Sequence, residues 1–267
     1  PDMDAGFSLA FTDGSKLDVI NAGNASGSHD ISIPASAGAE SVTVTTSNNA
    51  PGGLDFATDS TVYGIEYHTA SDFLADGLSM SFSASVGTGA STTATYQDDG
   101  HAAIGATYVS DLGDTAITIG AGFSTSDGYN SGASVTSDDG GMHVGLSAVT
   151  GDLTVAVGFA DGDSLDTNDA AHDTQTDGEV MKAGVKYVSG DLTFNVGITS
   201  STAKDSTTIG TAGTTEDSLD KTSASVSYAV ASGVTAILGY SDVDSQNEGT
   251  NSGDGGSAWY IGANMSF

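Results

Sequence analysis

Charged side chains are few in this chain of 267 residues, and several fall at spacings that could do chemistry. Lys16 and Asp18 stand two apart, as do Glu66 and His68, and Lys182 and Lys186 stand four apart. On a β-strand, residues i, i+2 and i+4 share one face, so each set would present its polar groups together. Four carboxylates, Asp30, Glu40, Asp55 and Asp59, occupy the stretch between the first two sets. Opposite charges held at fixed points across a water-filled gap set up a field that sorts solutes by charge and dipole. A denser run, Asp161, Asp163, Asp166 and Asp169, supplies the oxygens that Ca²⁺ requires, without the glycine and closing glutamate of an EF-hand loop. Asp138-Asp139 and Asp242 with Asp244 are similar, and a hydrated acidic rim is the favoured reading of all three. The histidines, His29, His68, His101, His143 and His172, are scattered singly. Neither a His-Glu-x-x-His pair nor a Gly-x-Ser-x-Gly elbow occurs, so the pattern points away from an enzyme. No cofactor is expected beyond Ca²⁺ at the acidic stretches.

The elements that would position these residues are strands. Leu192, Phe194, Val196 and Ile198 alternate with Thr193, Asn195, Gly197 and Thr199. Leu153/Val155/Val157/Phe159, Met142/Val144/Leu146 and Val234/Ala236/Leu238/Tyr240 follow the same rule. The last residues do so to the end of the chain, through Trp259, Ile261, Ala263, Met265 and Phe267. Period-two alternation of this kind describes strands with one apolar and one wet face. The second face is Gly, Ser, Thr or Ala with an occasional charge, where a soluble sandwich would carry more Lys and Glu. Large apolar groups outside and small polar groups inside is the pattern of a β-barrel in lipid. By parity Lys16, Asp18, Glu66, His68, Lys182 and Lys186 then face the lumen, because a charge in the middle of the lipid costs about 2–4 kcal/mol. Gly120-Ala121-Gly122 falls inside a strand, where small residues relieve crowding in the wall.

Short turns at 111–114, Gly151-Asp152, Gly190-Asp191 and Ser232-Gly233 recur about every 40 residues. Between them lie polar connections at 88–100, 126–139, 162–177, 201–219 and 244–256. Short turn, long loop, short turn is the rhythm of a transmembrane barrel. One connection, 24–60, is longer than the others and contains Pro34 and Pro51; loops beyond about 15 residues are usually functional. It falls on the long-loop side, and we expect it to fold into the barrel as a constriction whose carboxylates face Lys16, Lys182 and Lys186. Two strands precede it and eleven follow. Barrels of this class have even strand numbers, so the expected fold is all-β, a transmembrane antiparallel barrel with a sixteen-stranded parent whose first strands are missing here.

The formal net charge is −30 and all five basic residues are lysines. Such a chain lacks the clustered Lys and Arg that nucleic-acid phosphates demand. Acids outnumber bases throughout, so a channel built from it is expected to prefer cations.

The ending Trp259…Phe267 is similar to the C-terminal signature of Gram-negative outer-membrane barrels, whose assembly machinery reads a terminal Phe and the alternate apolar positions before it. With the eleven strands, the long acidic loop and the Gly-Asp turns, the whole chain resembles the general porins of alphaproteobacteria. That resemblance implies an outer-membrane location, contact with lipid and lipopolysaccharide, a homotrimer, and passive diffusion of small hydrophilic solutes and cations. The chain departs from the family in having no arginine, where family members line the constriction with an arginine cluster. The competing reading is a secreted or surface-layer acidic β-protein that binds Ca²⁺ and serves adhesion.

Overall fold

The alternating segments become strands of one antiparallel sheet. The computed structural model describes residues 6–19, 24–35, 64–86, 96–130, 135–165, 174–205, 215–247 and 252–266. Two short strands, β1 (Phe7–Ala10) and β2 (Lys16–Val19), come before the long connection. Eleven follow: β3 (Gly64–His68), β4 (Leu78–Val86), β5 (Tyr96–Leu112), β6 (Thr115–Asn130), β7 (Val135–Thr150), β8 (Leu153–Leu165), β9 (Thr174–Ser189), β10 (Leu192–Asp205), β11 (Thr215–Ala231), β12 (Val234–Asn247) and β13 (Ser252–Met265). Each strand pairs with its neighbours in sequence, so spatial order and chain order coincide across all thirteen.

Tight turns set the register. Gly151 and Gly190 open two-residue turns with φ of 54° and 58°, and the flanking residues Thr150 and Leu153, or Ser189 and Leu192, pair directly. Glycine adopts that left-handed conformation without a Cβ clash. The expected turns at Gly151-Asp152, Gly190-Asp191 and Ser232-Gly233 all occur, as does one at Gly113-Asp114.

The polar connections are much shorter than the alternation indicates. The ladder continues through Gly128↔Ser137 to Asn130↔Val135, through Ala203↔Asp217 to Asp205↔Thr215, and through to Asn247↔Ser252. Backbone hydrogen bonding does not need apolar side chains. Where a hairpin's sequence is largely polar, the period-two signal vanishes although the strand goes on. β5 and β11 have 17 residues each. At about 3.4 Å per residue this is far beyond the roughly 9–11 residues that cross a bilayer.

The two faces differ in kind. Along β8, Leu153, Val155, Val157 and Phe159 are exposed, while Ala156, Gly158 and Ala160 are buried on the other side. β10 repeats this with Phe194, Val196 and Ile198 against Asn195, Gly197 and Ser201. Large exposed apolar residues run from Phe7 on β1 to Met265 on β13, and the most open are Ile261 at 84% and Leu74 at 71%. A soluble monomer rarely exposes an apolar patch beyond about 300–600 Å². On this outer face the Tyr240 and Trp259 rings meet at 4.7 Å between centroids. Among the described residues no helix is long and apolar enough to cross a membrane, which leaves the strands as the apolar elements.

Candidate functional site

Residues 24–35 lie on the inner face of the sheet. Asn24 starts the segment by accepting the Ser26 amide on its side chain at 2.9 Å and the Ser28 amide on its carbonyl at 3.1 Å. A single 3₁₀ turn at Gly27–His29 follows, and from Asp30 the chain is extended. Its path across the strands is marked by glycines that leave room for its backbone. A Cβ at Gly105 on β5 would overlap the Ala25 carbonyl and the His29 ring. One at Gly120 on β6 would overlap the His29 carbonyl, and one at Gly145 on β7 would stand 2.6 Å from the Ile31 Cβ. At the far end, Gly184 on β9 and Gly197 on β10 lie beneath Pro34 and Ala35. Five strand spacings of about 4.8 Å make roughly 24 Å, a span that the ten residues from Ala25 to Pro34 cover with the 3₁₀ turn included. Ile33 packs on Ala160 and Val180, the only described core pair.

Polar side chains of the sheet hold the segment in place. The Ala25 amide donates to Ser83 Oγ at 3.0 Å, and Ser28 Oγ donates to Glu66 Oε1 at 3.0 Å. The His29 ring bridges Thr107 Oγ1 at Nδ1, 2.7 Å away, and Ser81 Oγ at Nε2, 2.9 Å away. His143 Nε2 donates to the Ser26 carbonyl at 2.9 Å, and its Nδ1 stands 2.9 Å from Asp30 Oδ1. Glu66, His29 and His143 are 3%, 6% and 4% exposed. Each bond among such groups contributes about 0.5–1.5 kcal/mol net, and stranding one partner costs about 1–3 kcal/mol. Burial holds His29 below the usual histidine range; nearby His68 and His143 push the same way and Glu66 opposes them.

Several of the residues singled out from sequence come together. Lys16, Asp18, Glu66 and His68 all lie on the inner face of β2 and β3, with Lys16 paired opposite His68 and Asp18 opposite Glu66. Lys16 Nζ reaches Asp18 Oδ2 at 2.7 Å, so it pairs with a carboxylate of its own strand. Asp30 sits against His143 and within Coulombic range of Lys182. Lys182 and Lys186 are on the inner face of β9, where Lys186 is exposed opposite Thr154 and Asn195. Glu40, Asp55, Asp59 and most of 24–60 lie outside the described residues. Asp161 and Asp163 stand on β8, which runs past position 162 where the sequence predicts a loop, and Asp166, Asp169 and Phe267 lie outside the described residues. Trp259, Ile261, Ala263 and Met265 share the exposed outer face of β13.

The tethers His29, Ser81, Ser83, Thr107 and His143 were not singled out as a group, because each is isolated in sequence. The glycines were the available signal. Two-residue turns place Gly105 opposite Gly122, Gly145 opposite Gly158, and Gly184 opposite Gly197. Gly120-Ala121-Gly122 therefore serves a different end from relief of crowding within the wall: Gly120 and Gly122 face inward and make room for His29 and Ser26.

No family model matches the sequence, and no curated protein matches it. Solved structures do. A porin refined at 1.8 Å resolution is similar with a TM-score of 0.58 at 18% identity, over 98% of this chain and 90% of the other. The outer membrane channel DcaP of Acinetobacter baumannii has a TM-score of 0.58 at 12% identity, over 98% and 83%. OmpT, an outer membrane protein of Vibrio cholerae in a trimer form, has a TM-score of 0.51 at 14% identity, over 93% and 77%. The fold of this chain is thus of the porin β-barrel type, with thirteen of its antiparallel strands in a single sheet.

Proposed function

We propose that the chain forms a water-filled channel in the outer membrane of a Gram-negative bacterium, through which small hydrophilic solutes and ions diffuse down their gradients. One observation carries this reading: the sheet turns a continuous apolar face outward and a small polar face inward, with residues 24–35 laid across the inner one. Lipid is the solvent that suits the first face and water the second. The segment occupies the inner side as a constriction, with Asp30 approaching Lys182 and with Glu66, Asp18 and Lys16 at its other end. A fixed surplus of carboxylates, −30 over the whole chain, favours cations over anions. We further read the protein as a homotrimer in contact with lipopolysaccharide, its acidic strand ends bridged to the anionic lipid by divalent ions such as Ca²⁺. A secreted acidic calcium-binding protein would have no use for the apolar outer face.

Planar-bilayer recording of the detergent-extracted protein under a potassium chloride gradient tests the proposal. Stepwise ohmic conductance with a reversal potential on the potassium side is the expected outcome. Folded protein that never conducts would overturn it.

A further inference from the structure

Where the inner segment meets β2 and β3, three side chains converge: Asp18, Glu66 and His68. We infer that they form a site for a first-row divalent metal ion of the zinc class. Asp18 and Glu66 oxygens and a His68 ring nitrogen all lie within 4.8 Å of one another, the one such group among the described residues. His68 Nε2 is 3.2 Å from Asp18 Oδ2 and 3.5 Å from Glu66 Oε1. Zinc bonds of about 2.0–2.1 Å in a tetrahedron set neighbouring ligand atoms about 3.3 Å apart, so both distances match tetrahedron edges. One imidazole and two carboxylates leave the fourth position to water, which reaches the site because the His68 side chain is 25% exposed. Ca²⁺ is the wrong size of demand here, since it takes six to eight oxygens and gains nothing from imidazole.

The surroundings orient each ligand. Ser8 Oγ donates to Asp18 Oδ1, which leaves Oδ2 for the ion. Ser28 Oγ donates to Glu66 Oε1 at 3.0 Å. Ser81 Oγ stands 2.9 Å from His68 Nδ1 and 2.9 Å from His29 Nε2. A ligating histidine usually gives its second N–H to such a partner. With the ion bound, His68 Nδ1–H donates to Ser81, Ser81 O–H donates to His29 Nε2, and His29 Nδ1–H donates to Thr107. Without it the chain runs the other way, and His68 Nε2–H donates to Asp18. Lys16 Nζ, 2.7 Å from Asp18 Oδ2 with its side chain 46% exposed, competes for the same oxygen and can swing into water. Because Ser28 and His29 belong to the inner segment, metal occupancy and seating of that segment are thermodynamically linked.

The site does not depend on the chain being a channel, and its test does not use conductance. The chain in detergent is titrated with zinc chloride in excess calcium by calorimetry, with variant folding checked by circular dichroism. One zinc per chain is expected. Ser81→Ala should weaken it by about 10- to 100-fold, His68→Ala should weaken it more, and Lys16→Met should tighten it. Cobalt should give the absorption of a tetrahedral site that His68→Ala abolishes. Displacement of zinc by calcium, or equal affinity in His68→Ala and Glu66→Gln, would overturn the inference. Should His68→Ala not fold, unchanged affinity in both Ser81→Ala and Lys16→Met would overturn it equally.

Discussion

The carbonyl oxygen of His29 rests where the Cβ of any residue other than glycine at position 120 would stand. The relationship joins a residue of the inner segment to the middle of β6, and it repeats between Pro34 and Gly184 on β9. Backbone lies over backbone at both points, so neither contact can be relieved by a side-chain rotation.

Gly120→Ala should therefore lift the segment from the sheet. Overpacking of this kind costs about 1–3 kcal/mol. A lowered melting temperature in detergent, faster proteolysis within 24–35 and a larger single-channel conductance are expected together. A variant that melts and conducts as the parent does would mean the segment rides clear of β6.

Acid should loosen the same segment. Burial depresses the His29 pKa below its ordinary value near 6.5, with His68 and His143 adding to that effect and Glu66 opposing it. The fold thus favours the neutral ring. Its contribution to stability is complete above about pH 6.5 and is lost as the pH falls through the depressed value. Hydrogen exchange of residues 24–35 should quicken over that window, and His29→Gln should remove the dependence. An identical acid response in His29→Gln would assign the effect to another group.

Lys182→Glu with Lys186→Glu reverses two of the five basic charges. The reversal potential under a salt gradient should move further toward the cation. No movement would place both lysines off the conduction path.

Val196 lies on the outer face of β10 and is 49% exposed. Val196→Arg should destabilise the protein by about 2–4 kcal/mol if that face meets the middle of the lipid. Equilibrium unfolding from lipid vesicles measures this. A neutral outcome would mean that position 196 faces water.

Much of the sheet was legible in the sequence. Period-two alternation marks which residues share a face, as in Leu192 to Ile198, because that period is a property of the strand itself. Gly-Asp turns at 151 and 190 mark the hairpins and, being two residues long, determine that Gly145 meets Gly158 and Gly184 meets Gly197. The chain order of the described strands and the inward aspect of Lys16, Asp18, Glu66, His68, Lys182 and Lys186 follow from these local rules.

The tertiary structure alone decided the rest. Strand ends ran past the alternation because backbone pairing at Asp205↔Thr215 needs no apolar contrast. The path of 24–35 depends on sterics between segments far apart in the chain: His29 reaches Ser81 across 52 residues, and His143 reaches Ser26 across 117. Such contacts leave no period in the sequence, since each joins residues whose own neighbours are unremarkable. Only the curvature and register of the assembled sheet bring His29, Ser81 and His68 into one line, and local propensity carries no information about either.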